Sequence, residues 1–130
     1  MANSEELERA VARGSGRKES KTTNALLPAV SGALEPQEKV LIAVTGRTIR
    51  GDSCLVVATS RQVLVATTGR VDSFPYTTLQ SVEFHESWRK GGFELRTRGA
   101  VADVKDIHLD RARELEKMIQ VARRTSQPHV

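Results

Sequence analysis

The chain reads as a mainly β domain: a seven-stranded antiparallel sandwich or partly open barrel, capped by one C-terminal helix and preceded by short helical segments. Three observations predict this. Residues 53–84 are nearly continuous strand-and-turn text, with Leu55-Val56-Val57-Ala58-Thr59 and Val63-Leu64-Val65-Ala66-Thr67 only three residues apart. Turn signals recur at short intervals up to Gly99-Ala100. The pattern then changes period: Ala112, Leu115, Ile119 and Ala122 recur at offsets of three and four, the stripe of an amphipathic helix, with Met118 beside it.

Three regions follow from composition. An N-terminal extension covers 1–34, the β domain 35–124, and a frayed tail 125–130. Within the extension, residues 4–13 suit a short helix, capped by Ser4 with early glutamates facing the positive helix end. Residues 14–23 are Gly/Ser-rich and basic, the composition of a flexible linker. Residues 24–34 are apolar enough to dock on something as a short helix, with Pro28 best placed in its first turn.

The first strand is expected over Lys39–Ile49, rich in β-branched residues, before a Gly51-Asp52 turn. The next two strands, 55–59 and 63–67, are too close for a parallel crossover and must form a hairpin. Gly69 marks a turn into Arg70–Pro75, an edge-type strand because Pro75 lacks a ladder donor. Leu79–Phe84 alternates, with Leu79, Val82 and Phe84 as inward candidates. Gly91-Gly92 reads as the next turn. Phe93–Arg98 then sets Phe93, Leu95 and Thr97 on one face and Glu94, Arg96 and Arg98 on the other. Val101–Ile107 completes the strands, and Asp110 is a good N-cap for the last helix.

The bulk numbers narrow the function classes. A chain of 130 residues holds one domain with modest extensions, able to bury a core without disulfides or metals. The single cysteine, Cys54, excludes an intrachain disulfide and a Cys-rich zinc site, and its apolar neighbours suit a buried thiol. The N-terminus is acidic and polar, without the features of a secretory signal, and no apolar stretch is long enough to span a bilayer. The expected location is cytoplasmic. A net charge of +4 is spread thinly along the chain, so long-range attraction to a polyanion would be weak.

Three segments go further. Glu35-Pro36-Gln37-Glu38-Lys39-Val40-Leu41 resembles the entry to the first strand of bacterial pleckstrin-homology (PH) domains of the YokE-like type and their GRAM-like relatives. Leu55-Val56-Val57-Ala58-Thr59-Ser60-Arg61-Gln62-Val63-Leu64-Val65 looks like their hairpin, and Phe74-Pro75-Tyr76-Thr77-Thr78-Leu79-Gln80-Ser81-Val82-Glu83 resembles a further strand segment. With the strand pair 93–107 and the helix 109–122, the resemblance covers about residues 35–123. It implies two twisted sheets with an open end plugged by the C-terminal helix through Leu115 and Ile119. It specifies a fold and no ligand.

Phosphoinositide-binding members of the wider superfamily carry a basic cluster on and after the first strand. The corresponding stretch offers Lys39, Arg47 and Arg50, but Asp52 sits alongside and no dense basic ladder exists, so solvated surface charge is the expected role. His85–Gly92 is the most unusual segment, holding Trp88 with Arg89 and Lys90 at a hairpin tip. A lone tryptophan is usually buried, so Trp88 is expected to fold back over the end of the sandwich. Left exposed, it would be a contact residue for protein or membrane. Neither His85 with Glu86, which point to opposite faces of a strand, nor the single pair of His108 with Asp106 is read as a chelating couple. No nucleophile elbow, Gly-rich phosphate loop or HExxH motif occurs, so no catalytic residues, metal or cofactor are assigned. The five aromatic residues are too few and too core-like for specific nucleic-acid binding.

The expected function is therefore a non-catalytic binding or oligomerisation module. It would recognise a protein partner or itself through sheet edges and loop surface, with Arg47, Arg50, Trp88, Arg89 and Lys90 as contact candidates. The resemblance implies self-association through strand edges as one form of this. Two alternatives stand beside it: an anionic phospholipid binder using Arg47, Arg50, Arg89 and Lys90, and a phage- or mobile-element-encoded inhibitor or adaptor of a host protein.

Overall fold

The computed structural model describes residues 7, 9, 10 and 20–126. The elements are α1 (Ser20–Ala33), β1 (Val40–Thr48), β2 (Ser53–Thr59), β3 (Gln62–Thr67), β4 (Arg70–Pro75), β5 (Leu79–Ser87), β6 (Lys90–Thr97), β7 (Ala100–His108) and α2 (Leu109–Ser126). Leu7, Arg9 and Ala10 are helical too, while the rest of the helix expected over 4–13 lies outside the described residues.

The seven antiparallel strands form one sheet that does not close, in the order β4-β3-β2-β1-β7-β6-β5. Its two halves meet where β1 crosses β7, through only Arg47–Lys105 and Thr48–Val104. The crossing is tight because Gly46 has no side chain. A Cβ there would lie 2.8 Å from Val104 and 2.9 Å from both Ile107 and the Lys105 carbonyl. The halves fold over one core. Val56, Ala58, Val63, Val65, Phe74, Phe93, Leu95 and Val104 line it, and α2 closes it with Ala112, Leu115, Ile119 and Ala122. Cys54 is buried in the same core.

β2 and β3 are apolar on both faces, so their alternation is hidden inside continuous runs. Leu55, Val57, Leu64 and Ala66 point away from the main core, with Ala43 of β1. That outer surface is covered by Leu26 and Val30 of α1 and by Leu7. Burying Leu26 and Val30 contributes about 1.5–3 kcal/mol each. This offsets Pro28, which lies inside the helix, where it cannot donate to the Asn24 carbonyl. The helix starts at Ser20 and not near residue 24, so the last four residues of the expected linker are helical. At the other end α2 runs through Ser126, into the expected tail. Asp110 lies in its first turn, where its charge still favours the dipole.

The turn expected at Gly91-Gly92 is elsewhere. Trp88 and Arg89 make it, closed by Ser87 opposite Lys90, and both glycines lie inside β6. They are glycines for close approach. A Cβ on Gly91 would be 2.4 Å from Cβ of Ala112, and one on Gly92 would be 2.4 Å from the His85 ring and 2.6 Å from the Val104 carbonyl.

Candidate functional site

The predicted contact residues fall into two groups aimed at opposite ends of the sheet. Arg47 lies one residue before the end of β1, opposite Lys105, and Arg50 lies in the β1–β2 turn on the side of the β6–β7 turn. Lys90 lies opposite His108, where β7 gives way to α2, and Trp88 and Arg89 project beyond it. The structure does not bring the two groups together.

Trp88 is 83% exposed, contrary to the expected packing over the sandwich end. The physical reason is that the end is already filled by α2, against which Gly91 lies, and a two-residue turn leaves no slack to bring the indole back. The Arg89 guanidinium lies over the indole, 5.3 Å from the ring centroid, a cation–π geometry. Arg89 itself has φ +57°. The β1–β2, β3–β4 and β6–β7 turns fill their left-handed positions with Gly51, Gly69 and Gly99. Among the described residues only Arg89 and Asp106, at φ +59°, take that conformation without being glycine, at a cost of about 1–2 kcal/mol each. The hairpin base is anchored: the Leu109 amide donates to the Arg89 carbonyl at 3.3 Å, and the Arg113 fork donates to both carboxylate oxygens of Glu86 at 3.0 and 3.4 Å. That hydrogen bonding, and then the guanidinium charge, holds the Glu86 carboxyl below its ordinary pKa. The pair is exposed and adds orientation more than stability.

At the opposite end a depression of about 410 Å³ opens between the β1–β2, β3–β4 and β6–β7 turns. Its lining holds Arg50 and Arg70 against Asp52, Asp72 and Asp103. Arg70 is paired with Asp72 at 2.9 Å, and Arg47 donates to the Gly51 carbonyl at 3.5 Å. Ile49 and Val101 stand exposed there. The mouth has no surplus of positive charge to offer a phosphate.

A third feature lies where β1 begins, beside the β2–β3 turn. Glu38 is 1% exposed. Its carboxylate accepts from the Thr59 hydroxyl, from Gln62 Nε2 at 2.9 and 3.1 Å, and from the Glu35 amide at 3.0 Å. Thr59 Oγ1 accepts in turn from the Arg61 and Gln62 amides, both at 3.1 Å, and the Tyr76 hydroxyl donates to the Thr59 carbonyl at 2.8 Å. Glu38, Thr59 and Tyr76 come one each from the three sequence segments that carry the family resemblance. Their spacing in sequence gave no sign that they meet; a glutamate at strand entry, a threonine at a hairpin corner and a tyrosine after proline were the available signals. The knot ties the start of β1 to the β2–β3 turn and the end of β4. A buried carboxylate is tolerable only with such a full set of donors.

Burial, and then the Glu38 charge, push the Tyr76 phenol well above its ordinary pKa. Unfolding frees the phenol to ionise near its usual pKa of about 10. Above that pH the unfolded chain holds fewer protons than the folded one, so stability falls as pH rises. Tyr76 is the sole tyrosine, so alkaline titration of tyrosinate absorbance reads it directly. The expected result is ionisation delayed until the fold is lost, with Tyr76→Phe removing that part of the alkaline slope in urea unfolding.

A family model described as "Bacterial PH domain" matches residues 34–123, well over half of the chain. The chain belongs to the bacterial PH domain family. The match takes in the whole knot, both loop ends and α2 up to Arg123. Among solved structures, this PH domain is similar to the hSac2 domain from human phosphoinositide phosphatase Sac2, with 11% identity, a TM-score of 0.58 and 88% of each chain covered. At that identity the likeness carries the fold alone. A share of 88% is more than residues 34–130 can supply, so it includes part of the segment ahead of the family match. No curated protein matches the sequence. PH-like folds commonly mediate protein or lipid binding and are generally non-catalytic. No helix among the described residues is long and apolar enough to cross a membrane.

Proposed function

We propose that this PH domain is a protein-recognition module whose contact surface is the β5–β6 hairpin, with Trp88 and Arg89 as the anchor and Lys90 beside them. The observation that carries the reading is the exposed indole–guanidinium pair on a turn held in a conformation the other three glycine turns leave to glycine. Trp and Arg dominate binding hot spots, because one rigid ring and one planar fork give large contact area at low entropic cost. Local strain at a rigidly anchored tip is the mark of a side chain retained for contact.

The alternative lipid reading has less support. The mouth where a headgroup would sit relative to Arg50 carries three carboxylates against two guanidiniums. Affinity capture from host lysate, with Trp88→Ala and Arg89→Gly beside the parent, tests the proposal. Both substitutions are expected to cut recovery of a specific protein at least tenfold. Arg89→Gly is expected at the same time to raise folding stability by about 0.5–1 kcal/mol, since glycine relieves the turn. Equal capture by all three proteins would remove the hairpin as the site. Cosedimentation of the parent, but not of Trp88→Ala, with acidic phospholipid vesicles would move the contact to a membrane surface.

A further inference from the structure

We infer that the recess beside the start of β1 is a binding site for a small organic monocarboxylate with a short aliphatic chain, held by Arg111 and Arg9. Its lining includes no residue of the β5–β6 hairpin, so it stands or falls separately from the hairpin reading.

β1 departs from regular pairing near its start. Val40 lies opposite Thr59 and Ile42 opposite Ala58, so Leu41 is an extra residue, a β-bulge. In an even strand Val40 and Ile42 would share a face. The bulge instead sets Val40 against the outer cluster under α1 and Ile42 in the main core, and leaves Leu41 exposed at the edge. β7 does not cover this stretch, since it pairs with β1 only at Arg47 and Thr48. A recess of about 200 Å³ remains, with Leu41, Ile42 and Ala10 on its apolar side. Arg9, Arg111 and Glu114 supply its charged lining.

Arg111 is the group the fold leaves unfinished. Its side chain is only 21% exposed, so water satisfies few of its donors. Nη1 donates to Glu114 at 3.0 Å and Nη2 to the Ala43 carbonyl at 3.3 Å, a long bond. Nε is buried with no acceptor among the described residues. A buried orphan donor is uncommon and calls for a cause, of which a bound anion is one. Nε and Nη2 form one edge of the guanidinium, and such an edge grips a carboxylate through two parallel bonds. A turn of the guanidinium gives up the long Ala43 bond and presents that edge to the recess.

Charge selects the same ligand. The recess has two guanidiniums against one carboxylate. The mouth with Arg50 has two against three, and the cavity beside the Glu38 knot has one against two. A surplus of one positive charge suits a monoanion, whereas a doubly charged phosphate would leave one negative charge unmatched. The aliphatic wall accepts an aliphatic chain, and the lining has no aromatic ring to stack a base. The volume lies below the roughly 300–1,000 Å³ of drug-sized sites, which limits the ligand to a few carbons.

Titration of the full chain with isovalerate, followed by nitrogen–proton correlation NMR, tests this. The Arg111 Nε–H signal, assigned by its loss in Arg111→Lys, is expected to shift and to saturate at about millimolar ligand. Isovaleramide has the same shape without the charge and is expected not to bind. N-acetylleucine carries the same chain and carboxylate on a peptide-like unit, so its affinity relative to isovalerate distinguishes a chain terminus from a free acid as the source. Arg111→Lys keeps the charge but loses the fork, and is expected to weaken isovalerate at least 10-fold, read from the Leu41 and Ile42 amides. Arg9→Gln is expected to weaken it about 2- to 5-fold. Glu114→Gln removes the competing carboxylate and is expected to tighten it by a similar factor, a gain that a merely structural Arg111–Glu114 pair does not produce. Arg9 and Glu114 are exposed, so those two variants carry the test even where Arg111→Lys fails to fold. No saturable shift by about 30 mM isovalerate overturns the site. So does equal binding of the amide, or an affinity unchanged in both Arg9→Gln and Glu114→Gln.

Discussion

Glu38→Ala is expected to lower folding stability by about 3 kcal/mol, read from urea unfolding of parent and variant. The carboxylate is the common acceptor for Thr59 Oγ1, Gln62 Nε2 and the Glu35 amide. Removing it takes this acceptor from Gln62 Nε2 and the Glu35 amide, at about 1–3 kcal/mol for each group that stays buried and unpaired, while Thr59 Oγ1 keeps the Gln62 carbonyl at 3.1 Å. A cavity of about 410 Å³ lined by Glu35, Glu38, Arg61 and Gln62 admits water next to the knot, which holds the loss below the full sum. Against a total stability of about 5–15 kcal/mol for a domain, this is a large fraction. Glu38→Gln separates charge from shape. It keeps the volume but faces a donor toward donors, so it too destabilises, by less than alanine. It also removes the charge that helps raise the Tyr76 pKa, so tyrosinate should appear at lower pH, while burial keeps it above the ordinary value. A Glu38→Ala variant as stable as the parent would show that the knot contributes nothing.

Gly46→Val is expected to have a comparable or larger effect, about 3 kcal/mol or more. Its Cβ alone would meet Val104, Ile107 and the Lys105 carbonyl within 2.9 Å. One of the three is backbone of the facing strand, which cannot swing aside. Overpacking of a well-filled core costs about 1–3 kcal/mol. Here the strain falls on the crossing where two pairs of residues join the halves of the sheet. Hydrogen exchange should therefore show the β1–β7 pairs opening before the outer ladders. Gly32→Ala is the matched control. It lies in α1 with nothing within 4 Å of a new Cβ, and alanine should stabilise the helix by about 0.5–1 kcal/mol. Equal behaviour of the two variants would show that the crossing is not close-packed.

Much of the architecture was legible in the sequence because strand signals are local. Phe93-Glu94-Leu95-Arg96 alternates with period two, and the structure buries Phe93 and Leu95 while exposing Arg96. The stripe Ala112, Leu115, Ile119 and Ala122 is the buried face of α2. Pro75 does end an edge strand. Misplaced elements share a cause. Gly91-Gly92 suggests a turn because glycine suits turns; its use here is to let Ala112 and His85 approach β6, which no local pattern reveals. Ser20–Thr23 read as linker because their composition is polar, yet they extend a helix held by Leu26 and Val30 farther along.

The five contact candidates show the same division. Sequence singled out Trp88, Arg89 and Lys90 by rarity and Arg47 and Arg50 by charge. Whether Trp88 packs or projects depends on what already fills the end of the sandwich, a question about α2 and not about the hairpin. The weight of Arg50 depends on Asp72 and Asp103, which β4 and β7 bring beside it.

By itself, the sequence determined a mainly β domain with a terminal helix, since side-chain periodicity along a strand or helix is fixed by backbone geometry within a few residues. Only the tertiary structure decided that Glu38, Thr59 and Tyr76 form one knot, that α1 covers the outer face of β2 and β3, and that Trp88 stands in solvent with the β5 edge open. Those facts depend on which distant segments meet, and proximity across a fold is set by how all the elements pack at once.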